Sequence, residues 1–543
     1  MGQITLYPVV SFITGTTPNG GGLWKYILRG PHGLLRSNRP VMTQVLHFLD
    51  FKISPATLAR WRTKPIHAHY NGHFGLNYTG DLFVDSGGFT LLTDPNLDLS
   101  EYGIPSSHLA EHITQLQLDL GSTYLVSLDY PIPPNLSADD ALERQRKTLH
   151  NALIAARYLQ ALGDRKSKLY VPVHGRNPQD IKQFTQNVFD AFEREGLLNQ
   201  IYGVALGSMV PLRKAGMESS ILEFCRAVRS VIPDALPLHV FGVTGSLMPF
   251  LVASGATSFD ASGYVQNARV LHYLHPETRR LIPFRKLQNY PCQCRVCRER
   301  DFQADLKTLD GEDLGLQKSE VYAAIALHNL GVEDALVAEI NQSLQTGRLE
   351  QLLEELPRRY PKLRWPGEER TNAKTVPLVR MHSPDDFDLR RENWTPAPKP
   401  IVLFLPCSQE KPYTRSRSYR AVKRALDHYI PNWEAYIQIV FLSGLYGPVP
   451  IEMVNHPNVL DYDFKLHLKD ETGKMRGRER VLAFLERYQL TFSRFVGYVT
   501  QPAYRDVLSH TGIVLLPKQP GKRQNHPEAL KELIAWIREQ MDH

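Results

Sequence analysis

From about residue 80 to 270, short apolar runs alternate with longer amphipathic stretches. The runs Leu82–Val84, Tyr124–Leu128, Leu169–Val173, Tyr202–Leu206, Leu238–Phe241 and Ser258–Phe259 are predicted strands, rich in β-branched and aromatic residues. Between them, 138–162, 180–195 and 219–231 carry apolar residues at helical spacing. Such alternation predicts a parallel sheet, doubly wound or closed. Each predicted strand ends on polar, acidic or glycine-bearing groups: Asp85-Ser86-Gly87-Gly88, Asp129, His174-Gly175, Gly207-Ser208 and Asp260. A (β/α)8 TIM barrel gathers such groups at its C-terminal face, so the barrel is the expectation.

Farther along, prolines recur at 357, 361, 366, 377, 384, 396, 398 and 400 among mixed charges. This predicts a linker over 356–397, separating a barrel domain (1–355) from a smaller α/β domain (398–543). In the latter, predicted strands at 401–405, 437–442, 495–499 and 513–516 alternate with helices near 420–428, 479–488 and 527–541. The whole chain, 543 residues with 42% hydrophobic and 22% charged residues, has the composition of a globular protein and excludes disorder and a disulfide-dense miniprotein. Residues 1–20 lack the pattern of a signal peptide, and no run of about 18 apolar residues predicts a membrane span. Of the net charge of +7, residues 398–543 supply +6, from 21 basic and 15 acidic residues. A polyanionic partner is compatible with that excess.

Three of the five cysteines fall within six residues, Cys292-Gln-Cys294-Arg-Val-Cys297. Crowded thiols in a long chain point to metal and to a reducing cytoplasm rather than to disulfides. Tetrahedral Zn²⁺ would need a fourth ligand. His328, on a helical stretch, is one candidate; His272 and His275 are others. Cys225, in an apolar helix, reads as core. Among the acids, Asp85, Asp129 and Asp260 stand at the ends of different strands, each beside Gly, Ser or Pro. Taken singly, each reads as a loop or helix cap. Taken together, three carboxylates at one barrel mouth read as a shared site able to divide nucleophile, acid/base and anchoring roles.

Asp85-Ser86-Gly-Gly-Phe89, Phe259-Asp260-Ala-Ser-Gly-Tyr264 with Ala268-Arg269, and Pro291-Cys292-x-Cys294-x-x-Cys297 with His328-Asn-Leu occur in that order. They resemble tRNA-guanine transglycosylases, nearest the archaeal-type branch, over roughly residues 75–350. The resemblance implies a zinc-stapled barrel that exchanges guanine in a nucleic acid for a 7-deazaguanine base. It makes Asp260 the nucleophile, Asp85 the general acid/base, Asp129 the reader of the base edge and Phe89 the stacking platform. Ser86, Gly207 and Ser208 become substrate contacts, and Cys292, Cys294, Cys297 and His328 the zinc ligands. Two departures are visible: His174, which takes the place of the family's usual Gln as a hydrogen-bonding contact to the base, and residues 1–75, which match poorly. Because relatives modify DNA as well as tRNA, the polymer stays open, and the reading admits a homodimer.

The run Pro406-Cys407-Ser408-x-x-Lys411-Pro412-Tyr413 after a predicted strand resembles the signature of archaeosine synthases, which add lysine to a 7-deazaguanine nitrile in tRNA. Tyr419 stands where that pattern closes with His. Six basic residues and no acid between 411 and 424 equally suit phosphate binding. Three functions therefore compete with base exchange: a non-catalytic nucleic-acid binder on the same barrel, a nitrile-modifying enzyme working through Cys407, Lys411 and Tyr413, and a glycoside hydrolase using the same acids. Retention of both Asp85 and Asp260 disfavours the binder; Asp129 and Phe89 disfavour the hydrolase.

Overall fold

Eight short strands alternate with helices in the first part of the chain: β1 (Thr5–Pro8), β2 (Val41–Gln44), β3 (Leu82–Asp85), β4 (Tyr124–Val126), β5 (Lys168–Val173), β6 (Ile201–Leu206), β7 (Leu238–Val240) and β8 (Ser258–Ala261). Neighbours run β1-β8-β7-β6-β5-β4-β3-β2, and every pairing is parallel. The ends of this order meet where Val9 bridges Met42 and Val10 N–H donates to the Met42 carbonyl at 2.7 Å. The expected (β/α)8 barrel is what forms. A computed structural model describes residues 3–12, 21–48, 64–71, 76–88, 108–133, 136–163, 166–310, 318–366, 383–408, 411–461, 466, 468, 470–519, 524 and 526–541. It divides into two units, Met1–Val379 and Arg380–His543.

Strand alternation builds two separate apolar layers in the barrel. Val84, Val171, Val204, Val240 and Phe259 face outward into the core shared with the helices. Tyr7, Met42, Phe83, Val126, Tyr170 and Ala205 face inward and fill the barrel. Residues two places beyond these inward groups, Asp85 after Phe83 for example, keep the same face and emerge at the C-terminal mouth. The intervening helices start where the sequence caps them. Ser137 accepts from Asp140 N–H ahead of Ala138–Leu162, and Asn177 accepts from Asp180 N–H ahead of Pro178–Arg194.

After β8 come the helix Gly263–Arg269 and an antiparallel hairpin, β9 (His272–Leu274) and β10 (Leu281–Pro283). The hairpin leads to the cysteine loop and to the helix Lys318–Gln345. That helix is long and apolar enough to cross a membrane, but 67% of its most apolar window is buried inside the protein. Within the proline-bearing stretch, Leu356 and Trp365 join the barrel unit's core. Phe387, Leu389 and Trp394 join the second unit's core.

The second unit holds β11 (Ile401–Pro406), β12 (Ile437–Ser443), β13 (Gly447–Pro450), β14 (Arg494–Tyr498) and β15 (Val514–Leu516) in the order β13-β12-β11-β14-β15. All pairings are parallel except β12 with β13. The strand order reverses at β11, whose neighbours are β12 on one side and β14 on the other, a topological switch point.

Candidate active site

Asp85 ends β3, Asp129 follows β4, His174 follows β5, Gly207 and Ser208 follow β6, and Asp260 lies in β8. Parallel strands in register bring these groups, with Ser86, to the C-terminal mouth. Phe89 lies outside the described residues. Ser86 Oγ donates to Asp129 Oδ1 (3.1 Å), and His174 Nε2 is 2.7 Å from Asp129 Oδ2. The other imidazole nitrogen, Nδ1, is 3.0 Å from Ser208 Oγ, which accepts Ile132 N–H at 2.9 Å. With a neutral imidazole, the Asp129 carboxylate, which only accepts, fixes the direction of this chain. The Ser208 proton then points to Nδ1, and the Nε2 proton to Asp129. Thus the residue standing in place of the family's Gln is held at both nitrogens.

Backbone geometry makes room for this network. A Cβ on Gly88 would lie 2.0 Å from Asp129 Oδ1, and one on Gly207 would lie 2.2 Å from His174 Cε1. Ser208 adopts φ +64°, a conformation L-residues rarely take. Strain of this kind persists where surroundings over-determine it, here through both bonds of the hydroxyl.

The carboxylates are not equivalent. Burial, then the neighbouring Asp129 and, more weakly, Asp260, push the Asp85 carboxyl up to about 8, against the opposing effect of Gly87 N–H. Asp85 is thereby biased toward its protonated form, in which it can donate. Asp260 Oδ1 accepts Gly242 N–H at 2.6 Å, and His239 Nε2 approaches the same oxygen at 3.5 Å. His239 and Gly242 were not singled out in the sequence, whereas Gly88 was, in the glycine pair that follows Asp85. The available signal for His239 was its place two residues before Phe241, on the inward face of β7.

Beside the barrel, Cys292, Cys294, Cys297 and His328 bring one ligand atom each within 4.8 Å of one another. His328 Nδ1 lies 3.6 Å from Cys294 Sγ and 3.4 Å from Cys297 Sγ. His328 Nε2–H donates to the Leu274 carbonyl (2.8 Å), which leaves Nδ1 to face the thiols. Tyr273 stacks on the imidazole at 3.8 Å, and Asn329 clamps the hairpin through Leu274 N–H (2.7 Å) and the His272 carbonyl (3.0 Å). Three thiols and one oriented imidazole are a set that could hold a metal ion. Neither His272 nor His275 belongs to it.

In the second unit, Cys407 follows β11 at the switch point, and its Sγ is 3.0 Å from the hydroxyl of Tyr504 on the helix Pro502–Ser509 after β14. Lys411 Nζ donates to the Ser408 carbonyl (2.7 Å) and lies over the Tyr413 ring. Tyr413 is wholly buried against Phe441, as is most of Tyr419.

A parallel (β/α)8 barrel with carboxylates gathered at its C-terminal mouth and a Cys₃His group beside it is the class of protein that the fold and site define. Residues 39–362, more than half of the chain, match the family model described as Queuine tRNA-ribosyltransferase. The chain belongs to that family. It is 28% identical over 294 residues to a tRNA-guanine(15) transglycosylase of Pyrococcus abyssi, covering 54% of this chain and 44% of the relative. The corresponding protein of Aeropyrum pernix is 29% identical over 290 residues, covering 53% and 51%. That of Methanothermobacter thermautotrophicus is 27% identical over 292 residues, covering 54% and 40%. The chain thus spans about half the length of the curated relatives it matches. Residues 387–528 match a second family model, a domain of unknown function (DUF5591), across the segment that resembles archaeosine synthase.

Proposed function

We propose that this protein exchanges guanine in a nucleic acid for a 7-deazaguanine base through a covalent aspartyl–nucleoside. The observation that carries this is the unequal carboxylates in one mouth: Asp85, pushed toward its protonated form by burial and Asp129, and Asp260, whose Oδ1 is tethered by Gly242 N–H. The target base leaves its stack and enters the mouth. Asp260 attacks C1′, the C1′–N bond breaks, and its electron pair leaves with the base as Asp85 delivers a proton. In the return, the incoming base gives its ring N–H proton to Asp85 and attacks C1′, and the bond to Asp260 breaks. Two displacements on one carbon retain configuration, the logic of retaining glycosidases.

Asp129, fixed by Ser86 and His174, presents its remaining lone pairs to the donors of a purine edge, with Phe89 as the stacking platform. Cys292, Cys294, Cys297 and His328 would hold Zn²⁺, which in such a closed four-ligand site supplies structure. For the polymer, tRNA is favoured, because the relatives are named for tRNA. The second unit would add phosphate contacts, since Arg415, Arg420 and Arg424 are exposed. Cys407, at the switch point where α/β sheets bind ligands, would be the group that meets a nitrile on the inserted base.

Two measurements test this. Labelled guanine incubated with the protein and either tRNA or duplex DNA should label tRNA; label in DNA alone moves the substrate to DNA. On a denaturing gel, protein mixed with tRNA and no second base should give a covalent band that Asp260→Asn abolishes. Persistence of the band in Asp260→Asn moves the nucleophile to Asp85 or Asp129.

A further inference from the structure

His239 is fully buried inside the barrel, on the strand next to the one that carries Asp260. Its ring is wedged between Phe241 (4.7 Å) and Phe83 (4.9 Å), so it cannot turn freely. Nδ1 is 2.9 Å from Ser258 Oγ. Nε2 has no hydrogen-bond partner among the described residues; it faces Asp260 Oδ1 at 3.5 Å. A buried lone pair aimed at a carboxylate oxygen would be repelled, whereas an N–H there is attracted, so the proton belongs on Nε2. Asp260 Oδ1 is therefore addressed by two donors, Gly242 N–H and His239 Nε2–H. Asp260 Oδ2 has no protein partner among the described residues.

We propose that His239 is a positioning residue that divides the labour between the two oxygens of Asp260. This rests on the covalent reading above. With Oδ1 held from inside the barrel, Oδ2 is the atom that bonds C1′. While that bond exists, Oδ1 is the carbonyl oxygen of an uncharged ester. When the incoming base displaces it, the C1′–Oδ2 pair returns to the carboxylate and the negative charge spreads back onto Oδ1, where both donors wait. Donors aimed at the site of developing charge accelerate the step in which it develops. His239 thus assists release of Asp260 more than attack by it.

The test follows the covalent adduct formed with tRNA and no second base, then chased with excess free guanine. His239→Phe keeps an aromatic ring in the layer and removes the N–H. It should still form the adduct but lose it about tenfold more slowly in the chase. His239→Gln, which returns an N–H near the position of Nε2, should recover most of the chase rate. Ser258→Ala, which frees Nδ1 to carry the proton instead, should slow the chase in the same direction and by less. This variant keeps the question answerable if the Phe substitution fails to fold. A folded His239→Phe that chases like wild type, or a His239→Gln as slow as His239→Phe, overturns the role. Absence of any adduct in the wild-type protein overturns the covalent reading itself, and this role with it.

Discussion

Asp85 bears the cost of the site's design. Its carboxyl would ionise near 3.8 in an unfolded chain but holds its proton to about 8 in the fold, chiefly through burial and secondly through Asp129. Two consequences follow, with the sign set by linkage. As pH rises from about 3.8 through about 8, the unfolded chain loses this proton first, so stability present at low pH is progressively lost. Asp85→Asn, which cannot ionise, should therefore melt at a higher temperature than wild type at pH 8–9 and close to it below pH 4. Parallel melts across that range check it, and a variant less stable than wild type at pH 9 would contradict the assignment. In catalysis, base departure should decline above about pH 8 as the acid form disappears. Asp85→Asn should lose about 10²–10⁴-fold, the usual size of general acid–base assistance. The sequence made Asp85, Asp129 and Asp260 legible because each closes an apolar run with Gly, Ser or Pro within two positions. It left His239 illegible, because a histidine inside an apolar run looks like any core residue until β7 and β8 are placed side by side. The pairing of His174 with Asp129 was hidden for the same reason: the two are joined across strands, 45 positions apart.

At the scale of elements, the Cys₃His group works as a staple. The strand carrying Asp260 runs into the helix Gly263–Arg269, then into the β9–β10 hairpin, and the hairpin is fastened to the helix Lys318–Gln345 by Asn329, His328 and the cysteine loop. Because metal binding at such a site contributes directly to folding, wild type should carry one tightly held zinc per chain. Cys294→Ala should lose the zinc and melt at a lower temperature. Metal analysis beside a thermal melt decides this; full zinc content in Cys294→Ala would remove Cys294 from the ligand set. Strands β3 to β8 were readable because each is an apolar run closed by a turn residue, and the observed strands overlap the predicted runs. β1 and β2 were not. Each is four residues long, and what makes them strands is closure of the barrel around Val9 and Met42, a non-local event. β13 was also missed, since Gly447-Pro448-Val449-Pro450 reads against a strand; it is tolerated at the sheet edge, where no further neighbour needs its N–H groups.

For the whole molecule, the decisive quantity is where charge lies along the chain. Residues 398–543 hold +6 of the net +7, whereas the proposed chemistry belongs to the barrel. A protein that flips a base out of tRNA must hold the backbone while the base is gone from its stack, and that holding is electrostatic and independent of sequence. The helix Arg417–Tyr429 carries Arg420 and Arg424 one turn apart, both exposed, so one stretch of phosphates can meet both. Replacing both by Gln leaves the barrel unchanged and removes two phosphate-binding charges. Affinity for tRNA should fall, and the slope of log K against log salt should become shallower by about two, roughly one for each lost contact. The covalent adduct at saturating tRNA should still form, because Asp260 and Asp85 are untouched. Binding titrations at several salt concentrations, with the adduct gel at saturation, separate the two contributions. An unchanged salt slope would take this helix out of nucleic-acid binding and leave its basic residues to serve a small anionic ligand near Cys407.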